Sequence, residues 1–91
     1  MRESYVEKAI RLHAKGLGCT AIKMATPGYR GIPDRMFLKS GVAAFLEIKA
    51  PGRKPTALQL RYIRELNANG FAASWVDSVA DGCKFIDDVF K

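Results

Sequence analysis

The chain has 91 residues, of which 48% are hydrophobic and 26% charged, a balance typical of a globular protein with one core. No apolar run approaches the roughly 20 residues of a membrane-spanning helix, and the first residues lack a signal-peptide profile. Fifteen Lys and Arg against nine Asp and Glu give a formal net charge of +6, which favours a polyanionic partner without identifying one. We therefore expect one domain over residues 1–91 in the cytoplasm, with no membrane contact.

The first part of the chain predicts a helix and a strand that lead into a loop. Apolar residues repeat at helical spacing from residue 4 to residue 15, and Gly16 follows as a stop signal. Residues 19–24 form a short, partly β-branched segment that is typical of a strand. Residues 26–33 contain two prolines and two glycines, which exclude regular structure there.

A β-hairpin is predicted after this loop. Residues 34–38 become apolar after an initial Asp34, and residues 42–49 form a second apolar run. A Lys-Ser-Gly turn at residues 39–41 separates the two runs. Such a turn brings the start of the first strand beside the end of the second.

The second part of the chain predicts a helix, a strand and a final helix. A basic loop over residues 50–55 is interrupted by two prolines, which cannot continue strand pairing. Thr56 and Gln59 then have the form of a capping box, and the helix that follows ends at an Asn-Gly pair. Residues 71–77 read as a strand, and Ser78 is placed to cap the last helix. The predicted order is αβββαβα.

Charged residues at the ends of the hairpin strands predict a catalytic centre. Glu47 and Lys49 are two residues apart at the end of the most apolar strand, so both side chains share one face. Buried charges are costly unless they are paired or bind a cation. The hairpin turn brings Asp34 beside Glu47, and two converging carboxylates suit Mg²⁺ or Mn²⁺. With the Lys49 ammonium alongside, this arrangement predicts metal-dependent hydrolysis of a phosphodiester.

Basic and aromatic residues near these charges are candidates for contacts with nucleic acid. Three of them precede Asp34, on or near the loop, and two follow the strand that ends in Lys49. An unpaired base could also stack on the tyrosine. Ordinary loop exposure explains the first three nearly as well. The five candidates are Lys23, Tyr29, Arg30, Arg53 and Lys54.

The motif of residues 33–34 (PD), twelve intervening residues and residues 47–49 (EIK) resembles the signature of the PD-(D/E)xK nucleases. Residues 31–35 (GIPDR) and 47–51 (EIKAP) resemble the VRR-NUC branch in particular. The resemblance spans nearly the whole chain. It implies an α/β fold with the restriction-endonuclease-like core of that superfamily, in which a mixed central sheet is flanked by helices.

The resemblance also implies two overlapping sets of site residues and no organic cofactor. The ligands of Mg²⁺ or Mn²⁺ would be Glu7, Asp34, Glu47 and Ile48. The catalytic residues would be Asp34, Glu47, Lys49 and Gln59. Two of these roles have plain alternatives, since Glu7 also suits a solvated helix residue paired with a neighbouring base, and Gln59 also suits the capping box alone.

Stand-alone members of the VRR-NUC branch resemble Holliday-junction resolvases that act as homodimers. The resemblance therefore implies an endonuclease for four-way junctions or other branched DNA, acting in a bacterial or phage-infected cell. Two other interpretations of the sequence remain open. One is a catalytically silent DNA-binding or interaction module of the same fold, and the other is a basic RNA-binding domain.

Overall fold

The computed structural model describes residues 1–24, 28 and 30–91, and its elements follow one another in the predicted order αβββαβα. Their bounds are α1 (Glu3–Gly16), β1 (Thr20–Lys23), β2 (Arg35–Lys39), β3 (Val42–Ile48), α2 (Ala57–Ala68), β4 (Ala72–Val76) and α3 (Val79–Phe90). The mixed α/β architecture predicted from the sequence is confirmed. Across these described ranges, no helix is both long and apolar enough to span a membrane.

Within the described residues, four strands form one mixed sheet in the order β1-β2-β3-β4. The first two pairings are antiparallel and the third, across the α2 connection, is parallel. The β2–β3 turn places Ser40 and Gly41 at φ values of 52° and 80°, the positive values that let a two-residue turn follow the strand twist. This turn sets a register in which Arg35 pairs with Leu46. Asp34 therefore lies opposite Glu47.

The central strand β3 is buried on both faces, so its side chains divide between two core clusters. Leu46 and Ile48 pack with α1 and α3, in the cluster completed by Val6, Ile10, Ala14, Cys19, Phe37, Val76 and Ile86. Phe45 packs on the other face with Ile63 of α2 and Ala73 of β4. Because side chains alternate along a strand, Glu47 points to the face of Phe45.

The helix starts predicted from capping residues are confirmed. The Gln59 N–H donates to Thr56 Oγ1 at 3.1 Å, and the Thr56 N–H donates to Gln59 Oε1 at 2.8 Å, which completes the capping box of α2. Ser78 Oγ accepts from the Asp81 N–H at 3.1 Å and caps α3. Each cap satisfies backbone donors that the first helical turn leaves free.

The first and last helices approach each other closely at Gly82. This residue is buried in α3, and a Cβ atom added to it would overlap Ile10 Cδ1 and lie 2.5 Å from Ile10 Cγ1. The same two helices are joined by His13 Nε2 and Asp87 Oδ1 at 2.8 Å. Glycine at this position therefore permits the close approach of α3 to α1.

Replacing Gly82 by alanine should destabilise the protein by about 1–2 kcal/mol. Overpacking a closed core costs about 1–3 kcal/mol, and the better helix propensity of alanine returns at most about 1 kcal/mol. Urea unfolding measures the difference. The matched control is Gly16→Ala at the end of α1, where an added Cβ meets no atom within 4 Å.

We expect Gly16→Ala to be neutral or stabilising. Adding Ile10→Val to Gly82→Ala removes the overlapping methyl group and should restore part of the lost stability. Equal effects of the two glycine substitutions would contradict the close contact.

Candidate active site

The two motif carboxylates meet at one end of the sheet. A carboxylate oxygen of Asp34 lies within 4.8 Å of one from Glu47. Asp34 Oδ2 accepts a hydrogen bond from the Ile48 N–H at 3.4 Å, so the end of β3 orients it. The Lys49 ammonium lies 3.5 Å from Glu47 Oε2. Two carboxylates and one ammonium group thus share a single site. The hairpin register brings the two carboxylates together.

Main-chain hydrogen bonds hold this site from both sides. The Met24 N–H, directly after β1, donates to the Asp34 carbonyl at 2.7 Å. The Lys49 N–H donates to the Val76 carbonyl at 2.9 Å, which extends the β3–β4 pairing past the last residue of β3. The Lys49 side chain is only 19% exposed. The backbones of Asp34 and Lys49 are therefore set by sheet pairing.

Glu47 carries the most unusual environment of the site. Its exposed fraction is 2%, and its Oε1 has no hydrogen-bond partner among the residues that the structure describes. Burial and the neighbouring Asp34 raise the pKa of Glu47 from 4.5 to about 7, although Lys49 acts in the opposite direction. A buried oxygen without a partner is costly.

A divalent cation fits these residues. It would give Glu47 Oε1 a partner and offset the repulsion between Glu47 and Asp34. Carboxylate oxygens are the hard ligands that Mg²⁺ and Mn²⁺ prefer. Ile48 can offer such an ion only its backbone carbonyl oxygen.

Helix α1 brings two further carboxylates to this end of the sheet, and they have different partners. Glu7 accepts hydrogen bonds from Arg35 Nη2 at 3.1 Å to each oxygen, and from Arg11 Nε at 3.2 Å. Glu3 instead has an oxygen within 4.8 Å of those of Asp34 and Glu47. Sequence reasoning missed Glu3. The signal was its position four residues before Glu7, on the same helix face.

A cleft of about 350 Å³ opens beside the carboxylates, between the start of α1 and the ends of the strands. Glu3, Glu7 and Asp34 contribute acidic groups to its wall, whereas Lys23 and Arg35 contribute basic groups. The cleft therefore combines a place for a cation with groups that can contact phosphate.

The other predicted nucleic-acid contacts lie in two loops. Arg30 is exposed in the loop before β2, and Arg53 and Lys54 are exposed in the loop between β3 and α2. Tyr29 lies outside the described residues. All three basic side chains are therefore accessible to a phosphate group.

The basic loop after β3 is held against β4. Lys54 Nζ lies 5.2 Å from the centroid of the Trp75 ring, a cation–π distance. The Gly52 N–H donates to Asp77 Oδ2 at 3.2 Å. Trp75 is paired in register with Glu47, so this loop lies on the strand next to the carboxylates.

Gln59 lies in the first turn of α2, where its side chain closes the capping box. This turn packs against the loop that leads into Asp34. Gly31 has a φ of 87°, and a Cβ added there would lie 2.7 Å from Leu58 Cγ and 3.2 Å from the Gln59 nitrogen. Glycine at this position permits both the backbone conformation and the close approach.

In the absence of metal, Glu47 should make the stability of the protein depend on pH. Its pKa is about 7 in the folded protein against an ordinary 4.5, so the folded state binds this proton more tightly than the unfolded state. The stability that the proton contributes is present at low pH and is lost as pH rises through 7.

We therefore expect the melting temperature of chelator-treated protein to fall between about pH 4.5 and about pH 7 and to level off above pH 7. Glu47→Gln removes the titrating group and should flatten this part of the profile. Parallel profiles for the two proteins would contradict the raised pKa.

Two comparisons relate the chain to known proteins, while no protein-family model matches it. It is 42% identical over 79 residues to "Putative nuclease p44" of Acyrthosiphon pisum secondary endosymbiont phage 1, a match that covers 86% of this chain and 85% of that protein. A solved structure named "VRR_NUC domain" superposes with a TM-score of 0.83 and 28% identity, covering 96% of this chain and 97% of the other.

Proposed function

The chain belongs to the VRR-NUC family of PD-(D/E)xK nucleases, and we propose that it is a metal-dependent endonuclease that hydrolyses DNA phosphodiester bonds. One observation carries this proposal: the Glu47 carboxylate is buried beside Asp34 and Lys49, and its Oε1 has no hydrogen-bond partner among the described residues. A silent binding module would gain nothing from such a group, because an uncompensated buried carboxylate lowers stability. A bound cation turns this cost into a catalytic centre.

Asp34 and Glu47 would hold the ion from adjacent strands, with the Ile48 carbonyl as a third donor. A bound Mg²⁺ or Mn²⁺ supplies positive charge to the scissile phosphate and acidifies a water molecule. Lys49, held 3.5 Å from Glu47, is placed to orient the attacking water and to stabilise the negative charge that develops on the phosphate. Gln59 supports the loop that carries Asp34 through the packing of α2 against Gly31.

DNA is the proposed substrate because basic side chains surround the acidic centre. Lys23 lines the cleft, while Arg30, Arg53 and Lys54 are exposed in the adjoining loops. Contacts of this kind bind the DNA backbone through counterion release and carry no sequence preference. We include Tyr29, in the same loop as Arg30, as a contact to the substrate.

Branched DNA and a homodimer complete the proposal. A four-way junction presents a pair of strands related by two-fold symmetry, and a two-fold dimer presents two equivalent cleavage centres. The resemblance to junction resolvases supports this pairing. The phage source of the relative supports action in the cytoplasm of a bacterial or phage-infected cell.

A cleavage assay tests the activity. It compares a labelled four-way junction with a linear duplex of matched sequence, each in the presence of Mg²⁺, Mn²⁺ or chelator. We expect metal-dependent cutting with preference for the junction. Asp34→Asn, Glu47→Gln and Lys49→Ala should each lower the cleavage rate by at least about 100-fold, because they remove groups that act in the transition state.

Junction affinity, measured in chelator, should change less than about threefold in these variants, because phosphate contacts dominate it. Glu65→Gln is the matched control, since this carboxylate is exposed on α2 and paired with Arg61. A wild-type rate in Glu47→Gln, or cutting in chelator, would refute the metal-dependent mechanism.

Light scattering after gel filtration tests the dimer. We expect a mass twice that of the 10.0 kDa chain, and two chains for each bound junction. A single chain in both the free and the junction-bound states would exclude paired incision.

A further inference from the structure

We propose that Glu3 supplies the helix-borne carboxylate ligand of the metal centre, whereas Glu7 remains paired with Arg35. This inference rests on the proposed metal-dependent function and adds a residue that the sequence motif does not contain. It reverses the assignment that the resemblance implies for α1.

The position of Glu3 supports the proposal. One of its oxygens lies within 4.8 Å of oxygens from both Asp34 and Glu47. Because a Mg²⁺–oxygen bond is about 2.1 Å long, oxygens on opposite sides of one ion are about 4.2 Å apart. Glu3 is exposed at the start of α1, so rotation of its side chain is enough to close the difference.

The partners of the two helix carboxylates separate their roles. Both oxygens of Glu7 accept from Arg35, whose side chain is only 15% exposed, and Arg11 adds a third contact. Binding a cation through Glu7 would weaken its pairing with a largely buried guanidinium, which is destabilising. No salt bridge or side-chain hydrogen bond engages Glu3 in residues 1–24, 28 and 30–91. Glu3 can turn to a cation at no such cost.

A second observation shows that the negative charge of this cluster is only partly compensated. Glu47, at 2% exposure, contributes an oxygen to the cluster, and its Oε1 has no partner among the described residues. Lys49 Nζ lies 3.5 Å from Glu47 Oε2. Three carboxylates converge here against one ammonium, whereas Glu7 is neutralised by two guanidinium groups. The unbalanced negative charge therefore lies with Glu3, Asp34 and Glu47.

Calorimetric titration of the full chain with Mn²⁺ tests the assignment. Glu3→Gln should weaken Mn²⁺ binding at least about tenfold, because the affinity of such sites follows the number of charged oxygen ligands. The rise in melting temperature that Mn²⁺ produces should shrink in parallel. Glu65→Gln, which removes an exposed carboxylate on α2, should bind as the wild type does.

The role of Glu7 in metal binding is tested in a double variant. Glu7→Gln combined with Arg35→Gln removes both partners of the pair, which avoids a lone buried charge. We expect this double variant to bind Mn²⁺ within about threefold of the wild type, since no charged ligand is lost. Loss of binding here, together with normal binding in Glu3→Gln, would overturn the proposal.

The same titrations separate this inference from the proposed function. If Asp34→Asn abolishes Mn²⁺ binding and Glu3→Gln leaves it unchanged, only the role of Glu3 is wrong. If the wild type binds no Mn²⁺, or Asp34→Asn binds it normally, the metal centre and the proposed function both fail.

Discussion

The burial of the Glu47 carboxylate in the central strand is the constraint on which the rest of the site depends. Strand β3 places apolar side chains on both faces of the sheet. The Glu47 carboxylate, at 2% exposure, therefore lies in surroundings that disfavour its ionised form. Lys49 compensates in part, but Asp34 adds a like charge. A divalent cation would relieve the repulsion and provide a partner for Oε1, which has none among the described residues. The proposed metal binding would therefore be coupled to folding through this residue.

Backbone pairing, more than side-chain packing, sets the geometry of the carboxylates. The turn at Ser40 and Gly41 determines which residues of β2 and β3 face each other, and a slip of one residue would send one side chain to the opposite face. Sheet hydrogen bonds on both flanks, from Met24 to Asp34 and from Lys49 to Val76, hold the ends of these strands. A small protein can in this way align two acids to within a few ångströms without a large supporting core.

The carboxylates around the cleft differ in whether a basic side chain neutralises them. Glu7 is neutralised by Arg35 and Arg11, which ties the first helix to the strand that follows Asp34. Glu3, Asp34 and Glu47 keep excess negative charge, while Lys23 lines the same cleft. A cleft that joins an acidic centre to a basic rim can attract a cation and a phosphate together. This arrangement is compatible with the proposed cation site in a chain that has a net positive charge.

The element order, the hairpin, both helix caps and the approach of Asp34 to Glu47 follow from the sequence, because each depends on local spacing and on one short turn. The partners of the helix carboxylates do not. Glu3 and Glu7 lie on the same face of one helix and differ only in what that helix meets after it packs on the sheet. Arg35, which is distant in the sequence, pairs with Glu7, whereas Glu3 lies beside the carboxylates of Asp34 and Glu47. Periodicity identifies a face, but only tertiary packing decides which side chain on that face finds which partner, since those contacts join residues far apart in the chain.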